Sequence, residues 1–274
     1  MTNCHMSVTW TTLVTAVFFA PFAIDNHSSN LQAKEAEWIS LFDGKTLNGW
    51  HTNKEAIGKD TGGHWVVEDG AIAGEQDPPG GGIGGVLMTD EHFGDFELEV
   101  DAKPDWGICS GLLVRCTEKG EAYQIMVDYH DDGNVGHIHG EYCGSFNNRP
   151  FLCDGVYGDK QELIGLKTKP SGLTVPEAYS VSGEDWVKAW KINDWNRIKV
   201  RMVGNPPEIT SWINGTKISE FDGKTYDGPK YDRKMVSELL GTKGSIGLQV
   251  HGGGSWPVGA KCRWKNVRVR VLSR

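Results

Sequence analysis

Six polar residues sit inside otherwise apolar or glycine-rich stretches of this chain: Arg115, Gln124, Asp128, Glu141, Arg149 and His251. Buried polar groups need partners, so such residues either lock to one another or line a cleft. A guanidinium, an amide, carboxyls and an imidazole together suit a sugar, whose hydroxyls call for donors and acceptors at once. His251, Glu141 and Asp128 are the candidates for proton transfer, since imidazole and carboxyl groups are common general acids and bases. Arg115, Gln124 and Arg149 are candidates for holding substrate oxygens.

His137-Ile138-His139 on a strand would aim two imidazoles the same way, with Asp128 and Glu141 near in sequence. That is half of a metal site; the simpler reading is a set of hydrogen-bonding residues lining a cleft. No pattern names a cofactor, and a divalent metal stays open. Trp50, Trp106 and Trp256 lie beside glycines and could stack on sugar rings, although tryptophan in a β-sandwich is more often core. Glu97, Glu99 and Asp101 alternate on one strand face. Paired carboxylates there could serve a retaining glycosidase, but the same alternation makes a solvated outer face. G-x-S-x-G and H-E-x-x-H are absent. The glycine loop at 80–85 precedes no strand-then-helix pattern, which argues against a phosphate cradle.

Strands must position these residues. Residues 96–102 and 198–203 alternate strictly, and 111–115, 123–128, 245–250 and 263–272 read as further strands. Asp69-Gly70 and Asn214-Gly215 are hairpin turns. Helix is confined to 183–190 and 232–240, and 145–190 read as long loops. The 274 residues include 36 Gly and 11 Trp, with 38% hydrophobic and 23% charged residues. Glycine is costly inside helices, so this composition fits short strands joined by tight turns. The fold class is all-β, a sandwich or jelly roll. A net charge of −8 without a basic block makes nucleic acid and anionic membrane surfaces poor partners.

The apolar run at 13–24 (LVTAVFFAPFAI) is too short to span a bilayer but suits a signal-peptide core. It predicts a signal peptide and linker over 1–33, a periplasmic or secreted product, and no membrane contact beyond that segment. Cys109, Cys116, Cys143, Cys153 and Cys262 form no C-x-x-C. Local disulfides Cys109/Cys116 and Cys143/Cys153 are open in an exported protein. Two cysteines seven residues apart on one strand would be too distant to bridge, and buried free thiols are the simpler reading.

Leu41-Phe42-Asp43-Gly44-Lys45-Thr46-Leu47-Asn48-Gly49-Trp50 opens an ordered set of motifs. Trp65-Val66-Val67-Glu68-Asp69-Gly70 follows, then Leu87-Met88-Thr89-Asp90-Glu91-His92-Phe93-Gly94-Asp95-Phe96-Glu97-Leu98 and Ser110-Gly111-Leu112-Leu113-Val114-Arg115. Asp194-Trp195-Asn196, Trp212-Ile213-Asn214-Gly215 and Gly247-Leu248-Gln249-Val250-His251-Gly252-Gly253 complete it. The set resembles the 3-keto-disaccharide hydrolase family across residues 38–272, read as one domain. The resemblance implies a concanavalin A-like jelly roll of two antiparallel sheets. It also implies action on glycosides already oxidised to a ketone at C3. Where relatives often read Tyr-Glu-Val-Gln, this chain has Tyr123-Gln124-Ile125-Met126. Where many read Gly-Ser-hydrophobic-Tyr-Gly-Glu, it has Gly136-His137-Ile138-His139-Gly140-Glu141.

A C3 ketone acidifies the proton at C2, so a modest base can remove it and the C1–O bond breaks by elimination. Water then adds back. The expected partner is a small oligosaccharide or glycoside. His251, Glu141 and Asp128 supply base and acid, Arg115 clamps the enolate or a hydroxyl, and Gln124, His137, His139, Arg149 and Trp256 line the substrate. The alternative is a non-catalytic carbohydrate-binding sandwich, since the fold serves both; a retaining glucanase built on the Glu97 ladder is a third reading. Convergence of Glu141, His251 and Arg115 on one pocket separates the enzyme from the binding module.

Overall fold

Period-two alternation divides each central strand between a core and an outer face. In the computed structural model, residues 1–2, 36–58, 61–173 and 180–273 are described. The apolar run at 13–24 lies outside them. The Ala122–Tyr129 strand shows the division most clearly: Tyr123, Ile125, Val127 and Tyr129 enter the main core, while Ala122, Gln124, Met126 and Asp128 occupy the opposite face. Sixteen strands and two helices are present among the described residues. They run β1 (Ile39–Ser40), β2 (Trp50–Thr52), β3 (His64–Glu68), β4 (Ala71–Glu75), β5 (Gly85–Thr89), β6 (Phe96–Pro104), β7 (Ile108–Cys116) and β8 (Ala122–Tyr129). Then come β9 (Asn134–Glu141), β10 (Phe151–Tyr157), β11 (Leu163–Pro170), α1 (Gly183–Ala189), β12 (Asn196–Gly204), β13 (Pro207–Ile213), β14 (Thr216–Asp222), α2 (Arg233–Leu240), β15 (Ser245–Val250) and β16 (Cys262–Val271).

Two antiparallel sheets hold the core between them, as expected of a jelly roll. One has the order β14-β13-β12-β6-β16-β4-β3, with β1 on β16; the other runs β2-β5-β15-β7-β8-β9. Leu98, Val100, Ile198, Val200 and Val269 from the first meet Leu112, Val114, Ile125, Val127 and Leu248 from the second in one cluster. Residues 36–274 make one compact unit. Both expected hairpin turns form: Asp69 and Gly70 have φ of 49° and 74°, Asn214 and Gly215 of 49° and 86°. Two successive positive φ values are what a type I′ turn requires.

The two expected helices form, capped by Ser182 on Asp185 N and Asp232 on Met235 N. The stretch at 145–190 is more regular than the sequence suggests, because β10 and β11 pair as a separate two-stranded sheet. The mostly exposed β11 offers no apolar period to read. The five described cysteines are free thiols, and Cys109 and Cys116 share β7.

Glu97, Glu99 and Asp101 do line the outer face of β6, but as an ion-paired ladder rather than an open solvated one. Glu97 meets Arg270 and Lys199, Glu99 meets Arg268 at 2.6 Å, and Asp101 meets Arg197 at 2.8 Å. Burial pushes the Glu97 carboxyl up, but hydrogen bonds from Arg270 and Lys199 outweigh it and hold the group below its ordinary range. A group whose folded pKa is depressed stabilises the fold above its unfolded value and loses that contribution as pH falls. Glu97→Gln is therefore expected to destabilise the protein by about 1–3 kcal/mol at neutral pH. In thermal melts the deficit relative to wild type should shrink as pH drops below the ordinary value of 4.5. A deficit independent of pH would refute the ion-pair account.

Candidate active site

The outer face of the six-stranded sheet changes character along its strands. At one end Ile57, Val86, Met88, Leu113, Cys116 and Ala122 form a small second apolar cluster. At the other, polar side chains surround a cavity of about 140 Å³. Strand register sets the layout. Asp128 pairs with Cys109 across β8–β7, Gln124 with His139 and Ala122 with Glu141 across β8–β9. His251 follows β15 and is held beside Cys109 by its N–H donating to the Cys109 carbonyl at 3.2 Å. The chain after β9 folds back over it, with Gly140 N on Phe146 O and Asn148 N on Ile138 O. That return brings Asn147 and Arg149 to the cavity wall.

A chain of amides runs beneath the cavity. Gln124 Nε2 donates to Gln249 Oε1 at 2.8 Å, and Gln249 Nε2 donates to Glu141 Oε1 at 2.9 Å. Gln124 also reaches the Ser110 carbonyl at 3.3 Å. To do so it must lie across β7, and Gly111 makes room. A Cβ at Gly111 would stand 2.4 Å from Gln124 Nε2 and 2.7 Å from its Cγ. The other Glu141 oxygen is 3.7 Å from His139 Nε2.

Burial governs the protonation states. It pushes the Glu141 carboxyl above its ordinary range, against the pull of His251 and the Gln249 hydrogen bond. It raises Asp128 as well, although Cys109 Sγ donates to Asp128 Oδ1 at 3.1 Å and His130, Arg149 and His251 favour the charged form. Burial, then the Arg149 charge, lowers His139 to about 4, so its imidazole is neutral at physiological pH. The exposed His251 has Nδ1 2.6 Å from the Gly252 carbonyl, which can only accept. Nδ1 therefore carries the proton, and in the neutral ring Nε2 keeps its lone pair. Buried Gln76 fixes that loop: its Nε2 donates to the carbonyls of His251 and Gly253, and its Oε1 accepts from Gly82 N. Arg149 Nε is buried with no hydrogen-bond partner among the described residues.

Asp128, Gln124, His139, Glu141, Arg149 and His251 thus line one cavity. Three expected members are elsewhere. Arg115 has φ of 52°, which breaks the alternation of β7. Its buried guanidinium reaches the carbonyls of Gly204 at 2.6 Å and Gly241 at 3.2 Å, tying loops together. His137 does not share a wall with His139, because β9 carries an extra residue where register slips against β8 and Gly136 turns to φ of 98°. His137 is fully buried, between Asn134 Oδ1 and Ser180 Oγ and edge-on to Phe151 at 5.0 Å. Burial lowers it to about 3. Trp256 is buried in the core with Nε1 on the Ala260 carbonyl, leaving no open face for stacking.

Cys109, Met126, Asn147, Gln249 and Gln76 complete the site without having been singled out in the sequence. Gln249 was within reach, since 247 and 249 share one face of β15 and 251 continues that alternation just past its end. Asn147 and Gln76 act through returns of the chain that no local pattern encodes. Cys109, Asp128 and His130 have ligand atoms all within 4.8 Å of one another, a geometry that could receive a metal ion. Against this, the Cys109 proton is engaged with Asp128, and burial first, then the Asp128 charge, pushes that thiol far up.

Two larger cavities flank the centre. One of about 250 Å³ shares His251, takes in Gln249 and extends to Tyr142, Ile57 and the glycine loop. The other, about 310 Å³, shares His139, Asn147 and Arg149.

A β-sandwich with titratable side chains gathered on the outer face of one sheet defines the class. Residues 37–270 match the family model of the 3-keto-alpha-glucoside-1,2-lyase-like domain, and the chain belongs to that family. It is a carbohydrate-active protein. The chain is 25% identical over 291 residues to a 3-keto-disaccharide hydrolase of Bacteroides thetaiotaomicron, covering 90% of this chain and 86% of the relative. A crystal structure of a candidate glycosyl hydrolase from Parabacteroides distasonis is similar at 23% identity and a TM-score of 0.49, covering 86% of this chain and all of the other. The Bacillus licheniformis β-glucanase is similar at 12% identity and a TM-score of 0.42, covering 88% and 100%.

A carboxyl whose folded pKa is raised favours the fold at low pH and costs stability as pH rises. Glu141→Gln is therefore expected to raise the melting temperature at pH 7 to 8. The gain should fade as pH drops toward the ordinary value of 4.5. Melting curves of the two proteins across pH check this, and a gain unchanged at acid pH would overturn it.

Proposed function

We propose that this protein cleaves 3-keto-glycosides by elimination across C1–C2 followed by hydration. One observation carries the reading: two carboxyls raised by burial, two imidazoles and a guanidinium with an unpartnered Nε line a single cavity of sugar-ring scale. Family membership supports it. His251 Nε2 takes the C2 proton, and the electron pair moves into the C2–C3 bond and onto the C3 oxygen. Arg149 meets that developing negative charge. Collapse of the enolate expels the C1 oxygen, which Glu141, whose protonated form burial favours, protonates. Asp128, the second carboxyl of the cavity, activates the water that then adds at C1 while a proton returns to C2. The result balances as hydrolysis. We propose further that residues 13–24 direct export, supported by their length and apolarity alone. N-terminal mass analysis of extracytoplasmic protein should find a start near residue 34 rather than Met1.

Incubation in deuterated water with a 3-keto-glucoside and its unoxidised parent tests the chemistry. Only the ketone should be cleaved, with deuterium entering at C2. His251→Ala, Glu141→Gln and Arg149→Ala should each lower kcat/KM by on the order of 10²-fold or more. Glu97→Ala, on the opposite sheet, should leave the rate nearly unchanged. Cleavage of the unoxidised glycoside, abolished by Glu97→Ala, would establish a glucanase instead.

A further inference from the structure

The cavity on the Arg149 side is lined by two cations. The chain is acidic, at −8, and several of its cations are paired with carboxylates. Arg197, Arg268, Lys199 and Lys261 all sit within 3.0 Å of a carboxylate. Arg149 and Lys230 differ. Both line the 310 Å³ cavity, no described Asp or Glu lines it, and neither makes an ion pair with a described residue. Ser145 and Asn147 add a hydroxyl and an amide to the same wall.

Lys230 is fixed at its backbone although its side chain is exposed. The next residue, Tyr231, packs edge-on against Phe146 at 4.8 Å, and its hydroxyl donates to the Gly223 carbonyl. The Lys230 carbonyl sits over Gly144, where a Cβ would come within 2.6 Å. The chain therefore brings a lysine to this wall by packing. Both cations reach His139, on the shared wall between this cavity and the central one: each disfavours its protonated form.

We propose that this pocket binds an anionic substituent, a carboxylate, sulfate or phosphate, on the saccharide whose oxidised ring occupies the central cavity. Oxyanions pair with guanidinium and ammonium groups through charge-assisted hydrogen bonds, and the hydroxyl and amide can serve their remaining lone pairs. The identity of the anion's carrier rests on the function proposed above; the anion site itself does not.

Titration of the full chain with inorganic sulfate, phosphate and acetate, followed by NMR of the His139 ring, tests the site directly. An anion seated beside His139 favours its charged form, so its pKa should rise saturably from about 4 with at least one of the three. Lys230→Gln should weaken that binding by about tenfold, equivalent to about 1.4 kcal/mol, and Lys230→Glu should abolish it. No saturable shift with any of the three ions, or equal shifts in Lys230→Gln, would overturn the proposal. A second measurement identifies the carrier: kinetics on paired 3-keto-glycosides that differ only in bearing a carboxylate, a sulfate, a phosphate or none. At least one charged form should show a KM lower by about tenfold, and that advantage should narrow in Lys230→Gln. Equal KM values for charged and neutral forms would sink the substrate assignment. If no ketone is cleaved at all, the function proposed above fails, while the NMR titration still decides the pocket.

Discussion

The amide chain from Gln124 through Gln249 to Glu141 is the interaction on which the site depends. Glu141 is buried on the outer face of a sheet, where a lone carboxylate would be strongly disfavoured. Gln249 supplies one directed donor, and Gln124 fixes the orientation of Gln249 by occupying its oxygen. Three strands must therefore keep their register for one carboxyl to be held. Gly111 is the permissive element: its missing side chain is the space through which Gln124 crosses β7. The glycine in Ser110-Gly111-Leu112 thus has a purpose at the site rather than in a turn.

The molecule handles its buried acids in two opposite ways. On the β6 face, Glu97 and Asp101 are nearly covered yet held ionised, because Arg and Lys from β12 and β16 stand across the strand pairings. Around the cavity, Glu141 and Asp128 face amides, a thiol and imidazoles, and burial wins. The first arrangement stabilises a sheet. The second favours the protonated acids at some cost in stability, a compromise common at functional sites. Where arginine and lysine stand close the carboxyl is held down, and where burial is deeper and the neighbours are mostly neutral it is pushed up.

Much of this was legible in the sequence. The strand read at 123–128 puts Gln124, Met126 and Asp128 on the face opposite the core, and the two glycine turns and both short helices follow from local chemistry. What failed to show were departures from alternation. Arg115 reads as the last outward residue of its strand, but a left-handed backbone angle redirects it to the carbonyls of Gly204 and Gly241. His137 reads as a twin of His139, but an extra residue in β9 turns it under Phe151. Bulges shift faces by one residue, and nothing in His137-Ile138-His139 announces one. Asn147 and Gln76 reach the site across long sequence separations, set by tertiary packing alone.

The choice between cleavage chemistries turns on which charges the cavity can bear. Displacement by a carboxylate nucleophile needs one acid firmly ionised beside another that keeps its proton. The well-covered acids held below their ordinary range, Glu97 and Asp101, are each tied to arginine on the outer face of the opposite sheet, with little freedom to attack a sugar. The cavity acids are both pushed above their ordinary range by burial. Elimination asks less: one lone pair for a proton acidified by the substrate's own ketone, one donor for the leaving oxygen, and one cation for the enolate. His251, Glu141 and Arg149 match those requirements in kind. Under the proposed elimination, much of the activation resides in the oxidised substrate, and a site of modest acids and bases suffices.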